Sequence, residues 1–168
     1  MMIERAFLLA LFLSNLIIMK NLLILTITLL FPFLAFSQCY NLVWEDEFTG
    51  TTLDNTKWFH QTQIPAGGNW YNGEIQHYTD RTDNSYVQNG IMRIVAKEET
   101  FTDQGYTKNY TSARLNSKFA FTYGRVEIRA KLPFGVGTWP AMWMLGQNII
   151  EDGAYWETLG YGTTSWPA

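Results

Sequence analysis

Two tryptophans four residues apart, Trp139 and Trp143, have the type and spacing that best fit a chemical task, and the task is holding a sugar. They lie in Gly135-Val136-Gly137-Thr138-Trp139-Pro140-Ala141-Met142-Trp143-Met144-Leu145-Gly146. A β-strand turns successive side chains to opposite faces. Trp139, Ala141, Trp143 and Leu145 therefore share one face, and Thr138, Met142 and Met144 the other. At roughly 3.3 Å of rise per residue the two indoles stand about 13 Å apart, with a small alanine between them. Each indole offers a flat apolar face that the C–H face of a sugar ring can cover while the hydroxyls hydrogen-bond at the rim. Burial in an ordinary core is the competing reading, because large aromatics mostly bury themselves. Pro140 favours a groove floor, since proline inside a strand is tolerated at edges, bulges and strand starts, where sheets adapt to ligands.

Cutting a glycosidic bond asks for more than a platform. It takes two carboxyl groups, about 5–5.5 Å apart for retention of configuration or about 6.5–9.5 Å for inversion. On a strand such a pair sits on one face two residues apart, and no inward-facing strand pattern here carries one. Glu151-Asp152 and Glu157 lie in an irregular stretch. Glu45-Asp46-Glu47 is a charge run, read either as a solvated edge or as a cation-binding start to the fold. His60 and His77 are far apart and lack a ligand-spaced partner, which argues against zinc. A Ser-His-Asp or Cys-His arrangement has no local signature. Asn109-Tyr110-Thr111 matches a glycosylation sequon, a pattern too short to carry weight.

The elements that must position these residues are strands. Leu42 to Phe48 opens with a short strand and runs into turn residues at Thr49-Gly50 and Leu53-Asp54. Gln61 to Gly73 reads as a loop rich in Gly, Asn and aromatics, a suitable rim for a groove, and Glu74 to Tyr78 resumes extended structure. Strands are expected at Ser85 to Gln88, Ile91 to Lys97 and Thr111 to Ala120. Asn89-Gly90 is a two-residue hairpin signal, and Asp103-Gln104-Gly105 marks a further turn. Tyr123 to Pro133 has the cleanest alternation: Val126, Ile128, Ala130 and Leu132 face in, while Arg125, Glu127, Arg129 and Lys131 face out. Those charges read as a solvated, cross-paired face rather than as catalysts. Gln147 to Pro167 has no clear periodicity, and so long a stretch implies a functional loop or an unseen element. The chain shows no internal repeat and, beyond its amino terminus, no helix-period segment of useful length.

The amino terminus stands apart. Leu22 to Phe36 is an apolar run after Lys20 that closes in Ala35-Phe36-Ser37, a small-x-small pattern suited to signal peptidase. Residues 1–37 are therefore expected to be a signal peptide cleaved after Ser37, with residues 1–18 an over-called start because Met19-Lys20 begins a complete signal peptide. A membrane anchor is the competing reading, but Lys20 and Asn21 interrupt the run before it reaches about 18 clean apolar residues. Cys39 follows Gln38, where a lipobox requires a small residue. Removing Glu4, Arg5 and Lys20 from the 15 acidic and 12 basic residues leaves 14 against 10, a net charge of −4 over 131 residues. Without a basic stripe, nucleic acid and anionic membrane surfaces are poor partners. One cysteine forms no internal disulfide. All 7 tryptophans and 9 tyrosines fall after residue 37, which favours a β-rich protein that handles a polar ligand with apolar faces.

Taken together, the motifs resemble glycoside hydrolase family 16, particularly its bacterial laminarinases, which are endo-β-1,3-glucanases. They are Trp44-x-Asp46-Glu47-Phe48, Leu53-Asp54, Trp58, Asn72-Gly73-Glu74-Ile75-Gln76-x-Tyr78, Asn89-Gly90, Thr111-Ser112-Ala113-Arg114, Tyr123-Gly124-Arg125-x-Glu127-x-Arg129 and Gly137 to Gly146. They fall in order over nearly all of Leu42 to Ala168. The resemblance implies an all-β fold, a concanavalin A-like jelly-roll β-sandwich whose concave face holds the glucan. It implies substrate-side roles for Trp139 and Trp143 as stacking platforms, for Arg114 as a donor to sugar hydroxyls, and for Asn72 at the negative subsites. It also implies a structural calcium site on the convex face, fed by backbone carbonyls near Glu47 and Gly90 and by a further ligand near the domain's carboxyl end.

The resemblance further implies that a Glu-x-Asp-x-x-Glu strand, carrying nucleophile and acid/base, follows soon after a Trp-Pro-Ala such as Trp166-Pro167-Ala168. Residues 38–168 would then be the amino-terminal part, about the first half, of a catalytic domain. No catalytic residue is expected within it. Sandwiches of this kind run to roughly 200–250 residues. Gly73 departs from the family, where many members carry a second Asn. The whole protein is expected to be secreted or periplasmic, monomeric, and free of the membrane once its signal is cleaved, with β-glucan as its partner. A non-catalytic carbohydrate-binding sandwich is the alternative, and an edge-pairing fragment without a ligand a third.

Overall fold

A computed structural model describes residues 2–30 and 40–165. Contacts divide it into two units, residues 1–41 and 42–168. The first holds a single helix, α1 (Met2–Leu30), whose described side chains are exposed. Among the described residues no helix is long and apolar enough to cross a membrane. The expected cleavage point after Ser37, Cys39 and Trp166-Pro167-Ala168 lie outside the described residues.

The second unit is built from short strands: β1 (Trp58–His60), β2 (His77–Tyr78), β3 (Ser85–Gln88), β4 (Ile91–Ile94), β5 (Lys97–Asp103), β6 (Tyr106–Ser112) and β7 (Leu115–Ser117). They pair as β1–β7, β2–β6–β5 and β3–β4. The fold is thus mostly β, as expected. Asn89 and Gly90 close the β3–β4 hairpin with φ of 54° and 71°, the left-handed pair that a two-residue turn demands and that Asn and Gly accept. Gln104-Gly105 closes β5–β6 in the same way, with φ of 51° and 81°.

What joins the sheets is polar. Asn84 is fully buried just before β3. Its Oδ1 accepts from Thr79 Oγ1 at 2.6 Å and Arg81 Nη2 at 2.9 Å, and its Nδ2 donates to Thr111 Oγ1 at 2.9 Å and the Val95 carbonyl at 3.1 Å. Every hydrogen-bonding group of the amide is used, as burial requires. Beside β1 and β7 lies an aromatic cluster. Trp44 meets Trp58 edge-on at 5.4 Å and stacks with Phe119 at 5.8 Å, while Phe48 stacks with Trp58 at 5.9 Å. Asp46 secures that cluster: its Oδ2 accepts from Trp58 Nε1 at 2.7 Å and its Oδ1 from the Phe48 amide at 2.8 Å. The acidic run is therefore more than a plain solvated edge, because its middle carboxylate anchors an indole.

Several expected strands differ. Residues 42–48 form no ladder and are held by the aromatic cluster and by Lys57 Nζ donating to the Glu45 carbonyl at 2.7 Å. The expected strand from Ile91 ends at Ile94, and Lys97 opens β5 in another sheet. The expected strand over Thr111 to Ala120 is divided: Thr111 and Ser112 finish β6 beside β2, whereas Leu115 to Ser117 turn to β1. The largest difference is Tyr123 to Pro133 and Thr138 to Gly146, which join no sheet. Alternation encodes a face to be covered, but a strand exists only when a neighbour supplies its hydrogen bonds. Among the described residues none does so, and residues 120–144 are exposed throughout. The 147–167 stretch holds a four-residue helix, α2 (Tyr155–Thr158), and one parallel bridge, Ile149 to Thr164.

Candidate sugar-binding site

Arg114 lies between β6 and β7, opposite Gln61, which leaves β1. The Gln61 amide donates to the Arg114 carbonyl at 2.9 Å, continuing the β1–β7 pairing by one rung. That rung brings the two side chains together. Arg114 Nε donates to Gln61 Oε1 at 2.9 Å, and Arg114 Nη2 pairs with Glu151 Oε1. Gln61 is fully buried, and the Arg114 and Glu151 side chains are 12% and 9% exposed. Gln61 also accepts from Asn116 Nδ2 at 3.2 Å and donates to the Asp152 carbonyl at 2.8 Å. A guanidinium fixed on two of its nitrogens has little rotational freedom left.

Aromatic rings surround that guanidinium. Its Cζ lies 5.1 Å from the Trp143 ring centroid, 5.7 Å from Trp70 and 5.8 Å from Tyr78, all within cation–π range. Trp70 is buried and packs edge-on against Tyr78 at 4.7 Å. Trp143 keeps 55% of its surface exposed. An indole has two faces, so the one Arg114 approaches is spoken for while exposed ring surface remains for a ligand. Among the described residues Arg114 Nη1 has no hydrogen-bond partner, which leaves its two N–H donors available.

Burial and charge act together on the titrating groups. Desolvation raises the Glu151 carboxyl above its ordinary value, partly opposed by Arg114 and reinforced by the negative charge of Glu74. The Tyr78 hydroxyl is pushed up to about 12 by burial and by its bond to Glu74 Oε2 at 2.7 Å. Glu74 also accepts from Gln76 Nε2 at 3.1 Å. Both carboxylates near Arg114 are thus engaged in holding other side chains.

Arg114 and Trp143 are the two expected site residues that the structure joins. Trp139 is 89% exposed. Asn72 is exposed in a 3-10 turn (Tyr71–Gly73) with φ of 59°, a left-handed conformation that Asn tolerates. The turn reaches the site through its neighbour: the Asp152 amide donates to the Tyr71 hydroxyl at 3.3 Å. Beside it lies a shallow depression of about 280 Å³ lined by Asn69, Gly73, Glu74, Lys108 and Tyr110 among others. Glu47 is exposed before the first turn and Gly90 is exposed at the β3–β4 tip. Glu151, Gln61, Trp70 and Tyr78 were not expected as site residues. The partners stand 53 and 37 residues from Arg114, separations that no short motif registers. The histidines are structural: His60 Nε2 meets Ser85 Oγ at 2.7 Å, and His77 Nε2 donates to the Tyr106 carbonyl at 2.9 Å.

Residues 72–166 match the family Glycosyl hydrolases family 16. The chain is 44% identical over 120 residues to Glucan endo-1,3-beta-glucosidase A1 of Niallia circulans, covering 66% of this chain and 18% of that protein. It is 44% identical over 125 residues to the Beta-glucanase of Rhodothermus marinus, covering 72% of this chain and 41% of that one. In three dimensions it is similar to LamA from Z. galactanivorans, solved with laminaritriose and laminaritetraose. The TM-score is 0.71 at 54% identity, over 75% of this chain and 51% of that one. The chain thus spans about half or less of the length of these relatives, and carries part of the jelly-roll β-sandwich of the laminarinases. The match over residues 72–166, together with these similarities, gives the assignment: the chain belongs to glycosyl hydrolases family 16.

Proposed function

We propose that this chain forms the sugar-holding part of a secreted endo-β-1,3-glucanase that cleaves laminarin-type glucan with retention of configuration. The observation that carries the reading is the Arg114 guanidinium, fixed 5.1 Å from the partly exposed Trp143 ring in a family of glycosyl hydrolases. A flat ring and a donor side by side suit a pyranose, whose C–H face stacks while its hydroxyls accept hydrogen bonds. Trp139 and Asn72 extend the same groove in this reading. Glu74 and Glu151 are committed to Tyr78, Gln76 and Arg114. The hydrolytic pair is therefore assigned to the part of the domain that this chain does not span.

The complete gene product on laminarin tests the proposal. Reducing ends should appear, and proton NMR should show the β-anomer first. Absence of both glucan binding and hydrolysis overturns it. A carbohydrate-binding sandwich without catalysis is the second reading, and under it laminarin would bind and release no reducing ends.

Residues 1–37 are proposed as an export signal, so the mature chain should begin at Gln38 on amino-terminal sequencing. The mature protein is proposed to be a monomer in solution. A structural calcium at the carbonyls of Glu47 and Gly90 is a separate proposal. Calcium takes about six to eight oxygens. The described residues gather no group of three acidic or imidazole side chains, and the Asp46 carboxylate is already engaged. These residues do not complete a site on their own. A rise in melting temperature when calcium is added to the complete gene product tests whether the whole domain does.

A further inference from the structure

We propose that Glu151 is a positioning residue for sugar binding, holding the Arg114 guanidinium, which lies against Trp143, in an orientation that leaves its Nη1 donors available. The inference rests on the reading of Arg114 and Trp143 as glucan-holding groups.

The geometry carries it. Arg114 has five N–H donors in a planar fork. Nε is taken by Gln61, at 2.9 Å, and Nη2 by Glu151. Gln61 alone would fix one nitrogen and leave the planar group able to turn about the Nε–H···Oε1 axis. Glu151 supplies the second point, and two points on one plane set its direction. The anchor is itself rigid: Glu151 is 7% exposed, and the residue after it is pinned by Gln61 Nε2 on the Asp152 carbonyl and by the Tyr71 hydroxyl at the Asp152 amide. Asn116 Oδ1 accepts the Tyr155 amide at 2.9 Å, so the same stretch is tied a third time three residues on. The carboxylate is delivered to Arg114 by a segment otherwise without periodicity, which explains why a buried acid is placed there.

A group that orients a substrate donor at a non-reacting sugar contributes equally to ground state and transition state. Its removal should weaken substrate binding and leave the chemical step untouched. The test uses the complete gene product, with initial rates on laminarin and thermal melting of each variant. Glu151→Ala should raise KM about tenfold with kcat within twofold of the parent. Glu151→Gln keeps a carbonyl oxygen that accepts from Nη2 and should restore KM to within about threefold. Unchanged KM in a folded Glu151→Ala protein overturns the inference. So does an equal fall in kcat with unchanged KM in both variants, which is the signature of a smaller folded, active fraction. If the parent neither binds nor cleaves laminarin, the underlying reading has failed, a result distinguishable from the first two because it appears before any substitution.

Discussion

Gln61 and Arg114 bond to each other twice, main chain to main chain and side chain to side chain, both at 2.9 Å. One rung of sheet thereby places the donor whose orientation the site depends on. Gln61 also serves Asn116 and the Asp152 carbonyl from a fully buried position.

Replacing Gln61 by leucine keeps the volume and removes all three side-chain bonds. Arg114 Nε and the Asp152 carbonyl would be left without this partner in a water-poor site, each costing about 1–3 kcal/mol. The expected destabilisation is about 2–6 kcal/mol. Urea denaturation of the complete gene product should show a lower midpoint with an unchanged slope.

The Asp46–Trp58 bond supports a second prediction. Asp46 Oδ2 receives the Trp58 indole N–H at 2.7 Å while Oδ1 caps the Phe48 amide, so one carboxylate holds the 42–48 segment against the aromatic cluster. Hydrogen bonds to charged groups are worth about 1.5–3 kcal/mol. Asp46→Ala should cost about that much and should also change the near-ultraviolet dichroism of Trp58. Glu47→Ala, at an exposed neighbour, should leave both unchanged.

Which of these features are legible in sequence follows from the range over which their causes act. The Asn89-Gly90 turn is encoded by two adjacent residues whose backbone preference needs no partner, and it appears where expected. The alternation of Tyr123 to Pro133 is equally plain, yet it names only a face, and a face becomes a strand when another segment bonds to its edge. Arg114 and Trp143 are readable through motif likeness. Glu151 is hidden in the stretch with the least periodicity, and its role comes from a contact 37 residues away. Asn84 is hidden for the same reason: two of its four partners, Val95 and Thr111, stand 11 and 27 residues away.

Glu151 also predicts a pH signature. Burial raises its carboxyl above the ordinary 4.5, against Arg114 and together with Glu74, while Asp152, Tyr71 and Tyr78 complete the ionisable groups around it. A folded-state value above the unfolded one means that the fold favours the neutral acid. The stability linked to that proton is present below about 4.5 and is lost as pH rises through the higher folded value. The melting temperature of the parent relative to Glu151→Gln should therefore decline over that interval as pH increases. Laminarin binding should run the opposite way, because only the ionised carboxylate pairs fully with Arg114. A binding profile of the parent that matches Glu151→Gln throughout would refute the assignment.

Residues 121–146 lead to a prediction about the 168-residue chain expressed by itself. Tyr123 is 93% exposed, and Ile128, Leu132, Phe134, Val136 and Met144 are all exposed beside it. Apolar surface with strand periodicity and unpaired backbone is a template for association. Sedimentation should show self-association that grows with concentration, and Ile128→Lys should reduce it by placing charge on the apolar face. A monomer that melts cooperatively would contradict this.

The two tryptophans should differ in how they couple to Arg114. Trp143 lies 5.1 Å from the guanidinium, a contact worth about 0.5–2 kcal/mol depending on desolvation. Trp139 is four residues further from that contact and 89% exposed, so its contribution to glucan binding arises only when a sugar lies on it. Residues that share a partner give non-additive effects, whereas independent ones add to within about 0.5 kcal/mol. Measured by laminarin binding, Trp143→Ala combined with Arg114→Ala should lose less than the sum of the single losses, since removing either already disrupts the pair. Trp139→Ala combined with Arg114→Ala should lose the full sum. Equal coupling in both cycles would mean that Trp143 has no special relation to Arg114, and the site would then be two separate platforms rather than one ring with a donor fixed beside it.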